Sequence, residues 1–204
     1  SNSVAACVDN GEIVVKKPVE FTMPRAELSL LGRHNLYNSL AAALAAAANG
    51  VDVEAIKHGL RTFAGVEHRL EYVTTANGVR YINDSKATNV DACRWALESM
   101  TTPTILILGG LDKGNDYNEI KQLVLDKCKA LVFMGADNSV LHQFFDGLGI
   151  EIADTHSMEE CMKECKKRAV EGDTILLSPC CASFDLFKNM EDRGEQFKDW
   201  ARKA

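Results

Sequence analysis

Apolar positions along the chain fall into two rhythms. Runs of four or five residues, VRYI, TILIL, ALVFM, IEIA and TILL, alternate with stretches in which apolar residues recur every three or four positions. The first rhythm is that of strands and the second that of helices, with helical patterns over 88–100, 117–128, 139–145, 158–170 and 186–202. Strands alternating with crossover helices predict a doubly wound, mainly parallel, Rossmann-like α/β sheet. HRLEYVTT and VRYIN flank Asn77-Gly78, the dipeptide of a type I′ turn, so this sheet is expected to open with a β-hairpin.

The first third of the chain reads differently. EIVVKK and the stretch through LSLL look extended, and HNLYNSLAAALAAAANG looks like an Ala-rich helix closed by Gly50, with Asp52 capping a second helix through Arg61. The change of rhythm near Gly65 predicts a boundary, with domains over 1–66 and 67–204. Ser1-Asn2 reads as the scar of an engineered cleavage, so a fragment of a longer protein is expected.

Composition narrows the function. The chain has 23 basic and 29 acidic side chains, and residues 1–66 balance six against six, so the deficit lies wholly in the second part. An acidic domain is a poor partner for nucleic acid or a membrane surface. Seven cysteines, no apolar leader and no long apolar run predict a reduced, cytoplasmic protein with buried free thiols. No Cys/His set has zinc spacing, and no metal site is expected.

Two loops concentrate polar chemistry. NDSKATN (83–89) and SPCCASFDLFKNMEDRG (178–194) each follow a strand-like run and lead into a helix, which places them at carboxyl ends of strands, where open α/β sheets bind ligands. Lys86, Lys113 and Lys188 all fall in strand-to-helix loops, which suggests a local anion site within an acidic domain; solubilising lysines are the alternative. Asp84 suits a ribose diol, or else caps the next helix. GGLDKGND (109–116) has the glycines of a phosphate cradle yet is neither GxxxxGK[ST] nor GxGxxG, and reads equally as a βα turn capped by Asp116. Cys181 on a strand-to-helix turn could be a nucleophile, but none of the five histidines shows a partner pattern, which favours a packing role.

NDSKATN together with SPxxASFDxFKNxxxRG resembles the Mur ligase family, in the branch that adds D-glutamate, from about Leu31 to the C-terminus. The resemblance implies an ATP-dependent ligase: the γ-phosphate passes to the carboxylate of UDP-N-acetylmuramoyl-L-alanine, and D-glutamate attacks the acyl phosphate, with Mg2+ neutralising the phosphates. It implies that residues 1–66 are an α+β remnant of the central ATPase domain and the rest the D-glutamate-binding domain. Within HNLYN, Asn35 and Asn38 take positions facing the adenine, although both could be simple helix-start caps. Asp84 matches the ribose ligand, and Arg69 and Lys86 match catalytic residues beside the nucleotide; the alternative for Arg69 is a solvated strand-end arginine. Thr88, Lys113 and Ser183 match carboxylate ligands of D-glutamate. Met190 stands where this family often has Phe, and His68 falls at the domain junction. The sequence contains no GKS or GKT, so the Walker lysine, most magnesium ligands and the uridine-sugar site are expected upstream, the fragment alone is expected to be inactive, and a monomer is expected. The competing readings are another Mur or folylpolyglutamate-type ligase and a non-catalytic nucleotide-binding domain.

Overall fold

A computed structural model describes residues 4–30 and 32–204, without the side chains of Arg33 and His34. The readings placed on Ser1, Asn2, Leu31 and the His34 ring lie outside these residues. The chain divides into two compact units, Ser1–Gly65 and Val66–Ala204.

The first unit is a three-stranded antiparallel sheet, β1 (Ala6–Asp9), β2 (Glu12–Val15) and β3 (Phe21–Pro24), packed against α1 (Arg33–Ala48) and α2 (Val53–Thr62). β1 was not legible as a strand, being four residues long with no buried position. Ile13, Val15, Phe21 and Met23 fill the core from the sheet, and Ala43 and Ala47 of α1 meet them with small side chains that let helix and sheet approach. Gly50, with φ 76°, ends α1 in the left-handed conformation that glycine tolerates. The Asp52 carboxylate accepts the Glu54 and Ala55 N–H groups, the cap expected from its position.

The second unit is a six-stranded sheet with helices on both faces. In chain order it runs β4 (Glu71–Ala76), β5 (Val79–Asn83), α3 (Val90–Ser99), β6 (Thr104–Gly109), α4 (Asn118–Lys127), β7 (Cys128–Met134), α5 (Ser139–Phe145), β8 (Glu151–Thr155), α6 (Met158–Arg168), β9 (Thr174–Cys180) and α7 (Met190–Arg202). The sheet order is β4-β5-β9-β6-β7-β8; β4 and β5 form the antiparallel hairpin and all other neighbours are parallel. Asn77 and Gly78 both have positive φ, as a type I′ turn requires. A register shift between Tyr72 and Thr74 puts a bulge in β4.

Every residue of β6 is buried, as expected of a parallel strand covered on both faces. Its side chains alternate between two cores. Leu106 and Leu108 join Leu97, Ile120, Val124 and Phe145, from α3, α4 and α5. Ile105 and Ile107 join Cys161, Met162, Cys165, Phe197 and Ala201, from α6 and α7. The helices after β5, β6 and β7 therefore lie on one face, and those after β8 and β9 on the other. β9 sits between β5 and β6 with its following helix on the opposite face from theirs, which makes its carboxyl end the switch point where such sheets open a crevice.

Four predicted helices are shorter than their apolar patterns, α7 most of all. α7 begins at Met190 rather than Leu186, because Asn189 is its cap, accepting the Asp192 N–H, while Leu186 and Phe187 turn back to bond the Ser183 carbonyl. Likewise α3 starts at Val90, capped by Asn89 through the Ala92 N–H. The cap of that helix is thus not Asp84.

Candidate active site

Three loops leave the sheet at the switch point: 84–89 after β5, 110–117 after β6 and 181–189 after β9. The register pairs Asn83 with Leu177 and Gly109 with Cys180, so the three strands end within a few residues of one another. Direct bonds then tie the loops together. The Leu111 N–H donates to the Ala182 carbonyl (2.8 Å), and Asn115 Nδ2 donates to the Cys180 carbonyl (3.2 Å). Gly110 has φ 126°, and a Cβ there would lie 2.3 Å from the Ala182 oxygen, so only glycine allows this approach.

Arg193 on α7 joins the other pair of loops. It is fully buried, and its guanidinium donates to Ser85 Oγ, the Ser85 carbonyl and the Cys181 carbonyl at 2.8–3.1 Å. Burial among neutral acceptors lowers its pKa to about 10. Ser85 Oγ in turn donates to the Met190 carbonyl (2.7 Å). Ser85 is among the polar groups that the sequence places in the two loops, whereas Arg193 does not stand out by residue type; the signal available for it was its place inside the second motif loop.

Lys86, Thr88 and Lys113 are exposed on these loops, and Met190 is half-buried at the start of α7. Among the described residues, neither Arg69, Lys86, Lys113 nor Lys188 has a carboxylate within 4.0 Å. Ser183 is the opposite case. It is 2% exposed, and its Oγ has no hydrogen-bond partner among the described residues. A buried hydroxyl without a partner costs about 1–3 kcal/mol, so this atom is set to receive a ligand or water.

Asp84 is not the open acceptor its position suggested. It is 4% exposed, one oxygen taking the Leu70 N–H (3.1 Å) and the other the Ser178 hydroxyl (2.8 Å). Burial drives its pKa up to about 7 against the pull of those two bonds and of Arg69. Each oxygen keeps a second lone pair. Asn35 and Asn38 lie in the first unit, Asn35 buried and Asn38 exposed beside an apolar groove of about 410 Å³.

Cys181 is buried against the Tyr117 hydroxyl (3.1 Å), and desolvation pushes its thiol up to about 11. A thiol held protonated is not a nucleophile. Asp112, beneath the same loop, accepts from Tyr117 and Asn115 and from the Gly114 N–H, bonds that outweigh its burial and hold its pKa below the ordinary value. This network makes 110–117 a fixed turn. The N-cap position of α4 is Tyr117, without a side-chain cap bond, so the cap expected of Asp116 is not formed there; Asp116, one residue earlier, accepts the Asn118 N–H instead.

Fold and loops together define a doubly wound α/β domain with three mutually bonded loops at the carboxyl end of its sheet. Residues 68–181, more than half the chain, match the family described as Mur ligase, glutamate ligase domain, and the chain belongs to that family. It is 54% identical over 198 residues to the UDP-N-acetylmuramoylalanine–D-glutamate ligases of Bacteroides fragilis and Bacteroides thetaiotaomicron, and 52% identical to that of Porphyromonas gingivalis. These alignments cover 97% of the chain but 44–45% of the relatives, so the chain spans under half their length. Among solved structures it resembles Escherichia coli FolC in complex with ADP (TM-score 0.68, 18% identity, 99% of this chain and 48% of that one). It also resembles MurF from Acinetobacter baumannii (TM-score 0.67, 16% identity, 94% and 42%). At such identities the likeness is one of fold.

Proposed function

We propose that the chain is the amino-acid-binding part of an ATP-dependent ligase that joins D-glutamate to UDP-N-acetylmuramoyl-L-alanine through an acyl phosphate, in cytoplasmic cell-wall precursor synthesis. Residues 1–66 then belong to the ATP-binding domain and 67–204 are the C-terminal domain. The observation that carries this reading is the buried, unpartnered hydroxyl of Ser183 on a loop bonded to the one bearing Lys113. Ser183, Lys113 and Thr88 hold the two carboxylates of D-glutamate, and Met190 supplies an apolar wall. Lys86 and Arg69 face the nucleotide phosphates, Asp84 the ribose, and Asn35 and Asn38 the adenine.

The work of these residues is positioning. Fixing both carboxylates leaves the amine of the amino acid one orientation, and such ordering is a large share of what an enzyme contributes to a two-substrate reaction. The rigid turn under Lys113 and the Arg193 bonds keep the loops in place without a bound ligand. A magnesium ion, which phosphoryl transfer needs, does not fit the residues present: among the described residues the one group of donors spaced for a cation is Glu67, His68 and Glu195, and its two carboxylates already hold the Lys198 ammonium.

The test is amino-acid-dependent ADP release by the full-length protein with UDP-N-acetylmuramoyl-L-alanine. D-Glutamate is expected to support turnover, and L-glutamate, L-lysine and meso-diaminopimelate are not. Turnover with one of those instead would replace this reading with that of another Mur or folylpolyglutamate-type ligase.

A further inference from the structure

Three of the nucleotide-side residues depend on one short segment, 67–71. It carries the Arg69 side chain, places the Leu70 N–H on Asp84 (3.1 Å), and offers the His68 carbonyl to the Lys86 N–H (3.0 Å). Nothing regular holds its centre. His68 and Leu70 have φ of 62° and 44°, a conformation that non-glycine residues keep only where the surroundings impose it.

Those surroundings are α7 and the end of β5. A Cβ on Gly194 would lie 2.2 Å from His68 Nδ1, so this glycine makes the space for the ring. Asn83 Nδ2 donates to His68 Nδ1 and to Glu71 (both 2.9 Å), while its Oδ1 accepts the Ser85 N–H. One turn further along α7, Lys198 is 3% exposed, with its ammonium 2.5 Å from Glu67, 2.7 Å from Glu195 and 3.4 Å from Glu71. Glu67 and Glu71 are the two ends of the segment.

We infer that Lys198 is a positioning residue for the nucleotide half of the site: by gripping Glu67 and Glu71 together it fixes the arc that presents Arg69, covers Asp84 and anchors Lys86. The inference rests on the assignment of those three residues to the nucleotide. Without the ammonium, three carboxylates face one another; Glu71 keeps its bonds from Asn83 and the His68 N–H, and Glu195 keeps the His68 ring at 3.8 Å, so the end free to leave is Glu67, whose side chain is 61% exposed. A lysine that merely pinned α7 to the sheet would use the same bonds but stabilise the whole domain evenly.

Amide hydrogen exchange on this chain separates the two. In Lys198→Met, the Leu70 and Lys86 amides are expected to exchange at least about tenfold faster while those of β6 and β9 keep their protection. Lys198→Arg, which keeps the charge, should restore most of that protection. Glu67→Gln should show the same local loss in milder form, and carries the test by itself if Lys198→Met does not fold. In the full-length protein the matching result is an ATP KM raised by about tenfold with the D-glutamate KM unchanged. Unchanged exchange at Leu70 and Lys86 in both variants, or a loss spread evenly over the sheet, would overturn the inference. Local loosening with an unchanged ATP KM would overturn the nucleotide assignment beneath it.

Discussion

Ser183 carries a cost that an apolar residue would not, and this makes its two roles separable. Replacing it by Ala removes a buried hydroxyl that has no partner, so Ser183→Ala should keep or raise the melting temperature of the chain while raising the D-glutamate KM of the full-length protein. Lys113→Ala, on an exposed side chain, should also raise the D-glutamate KM, by about ten- to a hundredfold if a charged hydrogen bond of about 1.5–3 kcal/mol is lost, and leave the ATP KM unchanged. Equal effects on both substrates would mean that the loops had moved. Asp84 makes a different prediction. Its pKa is raised from 3.8 to about 7 on folding, so the folded state binds the extra proton between those values, and the stability this gives is lost as pH rises through about 7. Asp84→Asn cannot ionise, so denaturant midpoints of the variant and the parent should diverge between about pH 4 and 7, the parent falling relative to the variant, and run parallel above that. A constant offset would show that the carboxyl ionises normally.

At the level of elements, most of the second unit was legible because its signals are local. Asn77-Gly78 specifies a turn that needs two positive φ angles, and the unbroken apolar run of β6 needs two covered faces. The ends of helices were less legible: Leu186 and Phe187 carry the apolar character of a helix, but Asn189 two residues on is the stronger cap, and periodicity does not register that competition. Arg193 and Lys198 show the main gap. In sequence they read as charges on a helix face, and only the packing of α7 against β4 and β5 reveals that both are buried. The candidate site was legible as motif loops, while the bonds that brace them were not. Asn89 tests the cap argument: Asn89→Ala should cost about 1 kcal/mol in chemical denaturation and bring Lys86 and Thr88 out of register. Asp84→Ala, which leaves the cap intact, should not melt α3 selectively.

Across the whole chain, the charge of −6 sits on the second unit, yet Lys86, Lys113 and Lys188, on the loops at the carboxyl end of its sheet, have no carboxylate within 4.0 Å among the described residues, the charge pattern that the proposed dianionic substrate requires. The purified chain contains no GKS or GKT, and should release no ADP from ATP with any combination of the proposed substrates, whereas the full-length protein should. Measurable D-glutamate-dependent release by the 204-residue chain would contradict the division of labour proposed above. The sheet order has a last consequence, for how the domain behaves in company. Its outer borders are β4, interrupted by a bulge at Tyr72 and Thr74, and β8, five residues long with Glu151 and Asp154 on it. A kinked border on one side and a short, acidic one on the other give a neighbouring chain no long flat strand to copy, so crowding should not turn the six strands into the seed of a fibre.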